Sequence, residues 1–253
     1  MTLIKACIIS FSMYSKIPMP HFEWKEEDMK YALCFFPWVG LVIGALTVGW
    51  GALCDRAKLG TLCFTLGGAA IPLLVTGGFH VDGYMDTMDA FCSFRDREKK
   101  LEILKDSHIG AFSVIRLVLY YLIYLAAYSE LKSQEMLVMT GIGFFLSRTL
   151  SGIGIVTFKS AKNDGLLCWF ANTAHKRAVR VSLYLQLVIC ALVLCRISLL
   201  SGIAVLTATL LCFGYYRYRC YREIGGITGD TAGCFVTICE AVIVVTVAIA
   251  GRL

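Results

Sequence analysis

Charged side chains are scarce in this chain. Asp, Glu, Lys and Arg make up 17% of its 253 residues, against about 25% in an ordinary soluble domain. A soluble protein of this length buries one core and still needs a polar surface. This composition, 58% hydrophobic with a mean hydropathy of +0.71, does not supply one. Paired cysteines are missing too. No two of the twelve cysteines form a C-x-x-C pair, and most lie inside apolar runs, as Cys34, Cys54, Cys63, Cys190, Cys195, Cys212 and Cys239 do. They read as small packing residues, not as a disulfide framework or a zinc site. A removed signal peptide is not expected, because Lys5 interrupts the first apolar stretch and no A-x-A site follows. The sequence has no internal repeat, low-complexity tract or interdomain linker. Its glycine-rich segment near residue 226 is not followed by Gly-Lys-Ser/Thr, which speaks against a simple ATPase. Nothing marks a nucleic-acid partner.

Long apolar runs are what the chain does have. A membrane span needs about 20 mainly apolar residues, and seven stretches qualify: 31–54, 60–79, 110–128, 134–158, 179–195, 200–216 and 234–250. The expected fold is all-α, a polytopic integral membrane helical bundle of about seven transmembrane helices, forming one domain over residues 1–253. Residues 3–15 are too short to cross, and Lys5 and Lys16 near their ends suggest an interfacial or re-entrant segment. Assigning connections alternately to two sides places seventeen Lys and Arg on one side and five on the other. The positive-inside rule then puts the N-terminus and the long connections (80–109, 159–180, 217–233) on the cytoplasmic side of the membrane. The outer connections are too short to hold a site, so any chemistry faces the cytoplasm. Glycines within spans (Gly40 and Gly44, Gly67 and Gly68, Gly141 and Gly143, Gly152 and Gly154) suit close helix packing in lipid and permit a homo-oligomer.

The stretch GGFHVDGYMDTMDAFCSF, residues 77–94, places His80, Asp82, Asp86 and Asp89 where the second span ends. If 80–91 continue as helix, the aspartates at i, i+4 and i+7 fall within an arc of roughly 60° at about 100° per residue. Carboxylates so close repel one another unless a cation holds them, and an oxygen-only set suits Mg²⁺ completed by water and substrate phosphates. The same spacing also describes a solvated helix end, or the lining of a cation pore. In the next segment, Ser93 with Asp96 resembles a capping box, predicting a short helix over 94–106. Arg95 and Lys105 are candidates to bind phosphate, whereas Lys99 and Lys100 read as charges facing anionic lipid. Asp106 could return to the metal site, and His108 reads as a polar residue at the start of a helix. Lys159, Lys162, Asn163, Asp164 and Gly165 follow the fourth span. Gly225, Gly226 and Gly229 would let the backbone approach an anion. Asp230 stands at the positive dipole end of the last helix, as a ligand or only as its cap. Glu240 and Arg148 are each expensive inside a span, and pairing them solves both problems.

The blocks GGFHVDGYMDTMDAF, RDREKKLEILKDSHIGAF and GGITGDTAG…E, with KIPMP near the start and AKNDGL, resemble the signatures of the cobalamin synthase family. They fall in the same order and cover nearly the whole chain. His108 stands where an arginine is commoner and Ala90 where a glycine is, and neither change touches the aspartates. The resemblance implies a Mg²⁺-dependent transfer late in vitamin B12 assembly. A ribose hydroxyl of α-ribazole, or of its 5′-phosphate, attacks the corrinoid-side phosphorus of adenosylcobinamide-GDP and GMP leaves. On that reading Asp82, Asp86 and Asp89 hold one or two Mg²⁺, Asp106 is an added ligand or the base, and Asp230 is a candidate for either role. His80 bonds the phosphate or orients Asp82, and the Gly225–Gly229 loop approaches the diphosphate or guanosine. Two other readings compete. A CDP-alcohol phosphotransferase expects D-x-x-D-G-x-x-A-R, and DGYMDTMD lacks the Ala-Arg. A cation transporter expects acidic residues at the bilayer midplane, whereas these cluster at one face.

Overall fold

The computed structural model describes residues 2–106, 108–161 and 175–252, and among them regular structure consists of eleven helices. They are α1 (Thr2–Tyr14), α2 (Glu26–Met29), α3 (Ala32–Ala57), α4 (Thr61–Thr76), α5 (Phe79–Cys92), α6 (Arg97–Ile103), α7 (Ala111–Tyr128), α8 (Gln134–Thr157), α9 (Lys176–Ile197), α10 (Leu199–Ile224) and α11 (Gly229–Ala250). Six of these, α3 and α7 to α11, are long and apolar enough to cross a membrane. The seventh expected span is α4. Its 16 residues reach about 24 Å at 1.5 Å per residue, short of a hydrocarbon core of about 30 Å. The chain then turns through 93° into α5. Gly77 and Gly78 make the turn, both with φ in the left-handed region (69° and 82°) that a side chain would oppose. The helix expected past the second span is thus present, but as a separate element lying across the end of the bundle.

The centre of the bundle is α8, packed by α3, α9 and α11. Glycine allows this. A Cβ at Gly44 would stand 2.5 Å from the Gly141 carbonyl oxygen, so α3 and α8 touch backbone to backbone. Gly143 in turn receives Ile243 of α11. With no hydrophobic effect to drive helices together in lipid, such close approach supplies dispersion contact over the whole seam. The opposite condition holds on the perimeter. Leu122 of α7, Leu192 of α9 and Leu211 of α10 are exposed, as lipid-facing residues are. Within the bundle the two isolated charges meet: Arg148 Nη1 donates to Glu240 Oε1 at 2.7 Å and to the Phe144 carbonyl at 2.9 Å. The pairing expected from the sequence is present.

Connections between spans alternate as expected. The N-termini of α3, α7 and α11 and the C-termini of α4, α8 and α10 share one end, here called the site end. Short links (58–60, 129–133 and Ser198) lie at the other. Helix α1, 13 residues long, does not cross; Ile9 packs on Met29 and on Ala32 at the start of α3. The cysteines in the described residues are all free. Two expectations need correction. The short helix starts at Arg97, not at residue 94, because Phe94 adopts φ 50° and the cap is Asp96, whose Oδ1 accepts the Lys99 N–H at 2.9 Å. Lys100 does not face lipid. It is buried and pairs with Glu223, which also receives Arg219 at 3.3 Å, fastening α6 to α10.

Candidate active site

Because Phe79–Cys92 is one unbroken helix, Asp82, Asp86 and Asp89 share its outer face, Asp82 exposed and the other two half-buried. A second helix supplies a fourth carboxylate. Gly83 lies against the first turn of α11, where a Cβ would stand 2.7 Å from the Asp230 carbonyl oxygen and 3.0 Å from its Cα. This contact sets Asp230 beside the α5 face. The cap of α11 is built from other residues: Thr228 Oγ1 accepts the Thr231 N–H at 3.2 Å, and Thr231 Oγ1 accepts the Thr228 N–H at 2.8 Å. Asp230 therefore does not serve as the N-cap. It sits in the first turn, where the helix dipole favours negative charge.

The electrostatics register this crowding. The Asp86 carboxyl is pushed up to about 6, first by burial and then by the like charges of Asp82, Asp230 and Asp89. Three aspartates from two helices thus bear on Asp86, an arrangement that a cation relieves. The donor set fits Mg²⁺: it is all oxygen and negatively charged. Among the described residues no three His, Cys, Asp or Glu side chains converge closely enough to hold an ion alone.

The other residues singled out from sequence lie in varied settings. Asp89 leans on Gly110, the N-cap of α7, so the link that carries Asp106 runs beside the acidic face. Asp106 itself is exposed. It accepts from the His108 backbone N–H at 3.0 Å and contacts His108 Nδ1 at 2.6 Å, hydrogen bonds that hold its carboxyl below the ordinary range. Asp106 is not among the charges that raise Asp86. His80 is turned away from the carboxylates, about 160° around the helix from Asp82 at 100° per residue. It is buried with Nε2 lacking a hydrogen-bond partner, and its ring lies 4.0 Å from that of Phe79. Arg95 and Lys105 are exposed.

Of the three glycines, Gly225 adopts φ 74° and makes room for Arg97, while Gly226 is packed on the link after α8. There the Ile227 N–H donates to the Lys159 carbonyl at 2.9 Å and the Ala161 N–H donates to the Ile227 carbonyl at 2.8 Å. Only Gly229, at the start of α11, opens onto free space. Lys162, Asn163, Asp164 and Gly165 lie outside the described residues. Sequence reasoning missed the part played by Gly83; a glycine inside a helix, directly after the first aspartate, was the available signal. It also missed Glu223, whose value as an anchor depends on a partner 123 residues away.

Fold and site together define a polytopic helical membrane protein with an acidic site at one end of its bundle. More narrowly, the chain belongs to the cobalamin-5-phosphate synthase family, whose profile matches residues 6–248. It is 44% identical over 243 residues to the adenosylcobinamide-GDP ribazoletransferase of Lachnoclostridium phytofermentans, covering 96% of this chain and 92% of that protein. Proteins of the same name from Clostridium botulinum and Clostridioides difficile are 32% and 29% identical; these alignments cover 95% and 94% of this chain and 95% of each relative. No solved structure matches the chain.

Proposed function

We propose that this chain transfers the phosphocobinamide group of adenosylcobinamide-GDP to α-ribazole or its 5′-phosphate, releasing GMP, and that the transfer requires Mg²⁺. The meeting of Asp82, Asp86 and Asp89 on α5 with Asp230 on α11 is the observation that carries this reading. A diphosphate brings negative charge to a place already crowded with it, and only a shared cation makes the encounter favourable. When bound, Mg²⁺ neutralises charge on the diphosphate and on the leaving GMP. Asp82, Asp86, Asp89 and Asp230 are the side chains that would hold it.

The remaining work falls to the protein. The first turn of α11 presents backbone N–H groups and an open glycine, Gly229, toward an anion. The ribose hydroxyl oxygen bonds to the corrinoid-side phosphorus, the phosphorus–oxygen bond to GMP breaks, and the hydroxyl proton passes to a carboxylate of the site. His80, buried beneath α5, serves as packing under the site instead of touching the phosphate. Arg95, exposed ahead of α6, is available to the diphosphate or to a lipid headgroup. Seventeen cationic residues on the site side, against five on the other, favour a site facing the cytoplasm of the bacterial inner membrane.

The test is release of GMP by protein purified in detergent and supplied with adenosylcobinamide-GDP, α-ribazole and MgCl₂, lost on adding excess EDTA and regained with excess Mg²⁺. GMP release that is indifferent to EDTA refutes the metal assignment. Absence of GMP release from folded protein, with cation flux in liposomes, favours the transport reading.

A further inference from the structure

A groove of about 270 Å³ opens on the perimeter of the bundle between α7 and α10. Both helices pack on α11 but scarcely on each other, so α11 forms the floor, with Phe235 and Ile238, and α5 closes the site end with Met88 and Phe91. The interior is mainly apolar. The exceptions that matter are two arginines, one on each wall: Arg116 of α7 and Arg219 of α10. Each stands five residues from the site end of its helix, about 8 Å at 1.5 Å per residue, so the two lie at one depth, where an arginine reaches toward the headgroup layer.

Their charge is not cancelled by Glu223. That carboxylate receives Arg219 at 3.3 Å but is also the partner of buried Lys100, leaving the neighbourhood positive. Arg219 additionally lies over the Phe91 ring at 5.8 Å, which aims it along the groove wall. Arg116 is exposed within a helix whose outer face is otherwise Val118, Leu119 and Leu122. A cation there is costly in hydrocarbon without an anion. Below the arginines the floor is apolar for more than a turn of α11. Cations at the headgroup level above an apolar trough match an anionic head joined to an acyl chain.

The groove is also separate from the acidic site. Thr87, Met88 and Phe91 face it from α5, whereas Asp82, Asp86 and Asp89 project from the opposite side of that helix. We propose that this groove is a binding site for an anionic phospholipid of the surrounding bilayer, its phosphate held between Arg116 and Arg219 and one acyl chain laid on Phe235 and Ile238. The inference does not depend on the transferase reading.

Native mass spectrometry of the detergent-purified protein, titrated with dioleoylphosphatidylglycerol or dioleoylphosphatidylcholine, tests it. Phosphatidylglycerol should bind about tenfold more tightly than phosphatidylcholine, and Arg116→Gln should remove that preference, as the loss of one charge-assisted contact does. Arg219→Gln should act in the same direction, while Ile238→Trp, which fills the trough without altering charge, should weaken both lipids. Lys132→Gln at the far end of the bundle should change neither. Circular dichroism checks that each variant is folded. An undiminished preference for phosphatidylglycerol in folded Arg116→Gln, or no preference in the parent, overturns the proposal. So does displacement of the lipid by inorganic phosphate alone, which would mark a site for soluble anions, or by adenosylcobinamide-GDP, which would assign the groove to substrate.

Discussion

Gly83 is where the two halves of the acidic site are joined, and replacing it by alanine is the sharpest perturbation of that junction. The new Cβ would stand 2.7 Å from the Asp230 carbonyl oxygen and 3.2 Å from its carbonyl carbon. Both atoms are backbone of a well-packed helix, so they cannot rotate aside. An ordinary carbon–oxygen contact needs about 3.4 Å or more, and α5 must therefore retreat by several tenths of an ångström. Overpacking of this kind costs about 1–3 kcal/mol, which a bundle this extensive tolerates while remaining folded. Activity should suffer more. A misplacement approaching 1 Å can cost about a hundredfold in rate, and here it separates Asp82 and Asp86 from Asp230. The expected result is a 10- to 100-fold loss in GMP release with near-normal expression and helix content. Gly49→Ala is the control, since a Cβ there meets nothing within 4 Å. Full activity of folded Gly83→Ala would refute the idea that close contact between α5 and α11 assembles the site.

Other expectations follow from the same contacts. Asp86→Asn should lower turnover by about a hundred- to a thousandfold, in the range charge-stabilising groups supply, while leaving the thermal midpoint unchanged or raised, since it removes one of four crowded charges. A lowered midpoint with activity retained would contradict both parts. Glu240→Gln strands a buried guanidinium and should cost about 3–5 kcal/mol in thermal unfolding in detergent; Arg148→Met with Glu240→Leu should recover most of that loss, and failure of the double variant to recover would show that more than charge is at stake. Lys100→Ala should release α6 from α10, read as faster protease cleavage within 93–110, whereas unchanged cleavage would show the Lys100–Glu223 pair to be dispensable for docking.

Much of this architecture is legible in the sequence because a bilayer imposes simple demands. Apolar length fixes the spans, and the cost of a lone charge in hydrocarbon predicts that Arg148 and Glu240 meet, 92 residues apart. The i, i+4, i+7 spacing of Asp82, Asp86 and Asp89 likewise survives as one helical face. Elements that depend on tertiary contact were not legible. The 93° turn at Gly77–Gly78 could not be read from an apolar run that continues into a helix on both sides. Lys100 looked like any surface lysine until Glu223 was seen across from it. His80 stands within two residues of Asp82 in the chain yet faces the packed interior, because helical rotation separates neighbours in sequence. Gly225 and Gly226 suggested a ligand loop, and each is occupied by another part of the protein: the Arg97 side chain at one, the Lys159–Ala161 backbone at the other.

The account depends on the aspartates of α5 and α11 taking up a divalent ion together with a diphosphate. Electron paramagnetic resonance of Mn²⁺, used in place of Mg²⁺ and titrated into the protein with and without adenosylcobinamide-GDP, measures this directly. The predicted result is bound Mn²⁺ that tightens when the diphosphate is added and is lost in Asp82→Asn and Asp86→Asn. Mn²⁺ that binds equally to those variants, or that stays free in the presence of the diphosphate, would contradict it.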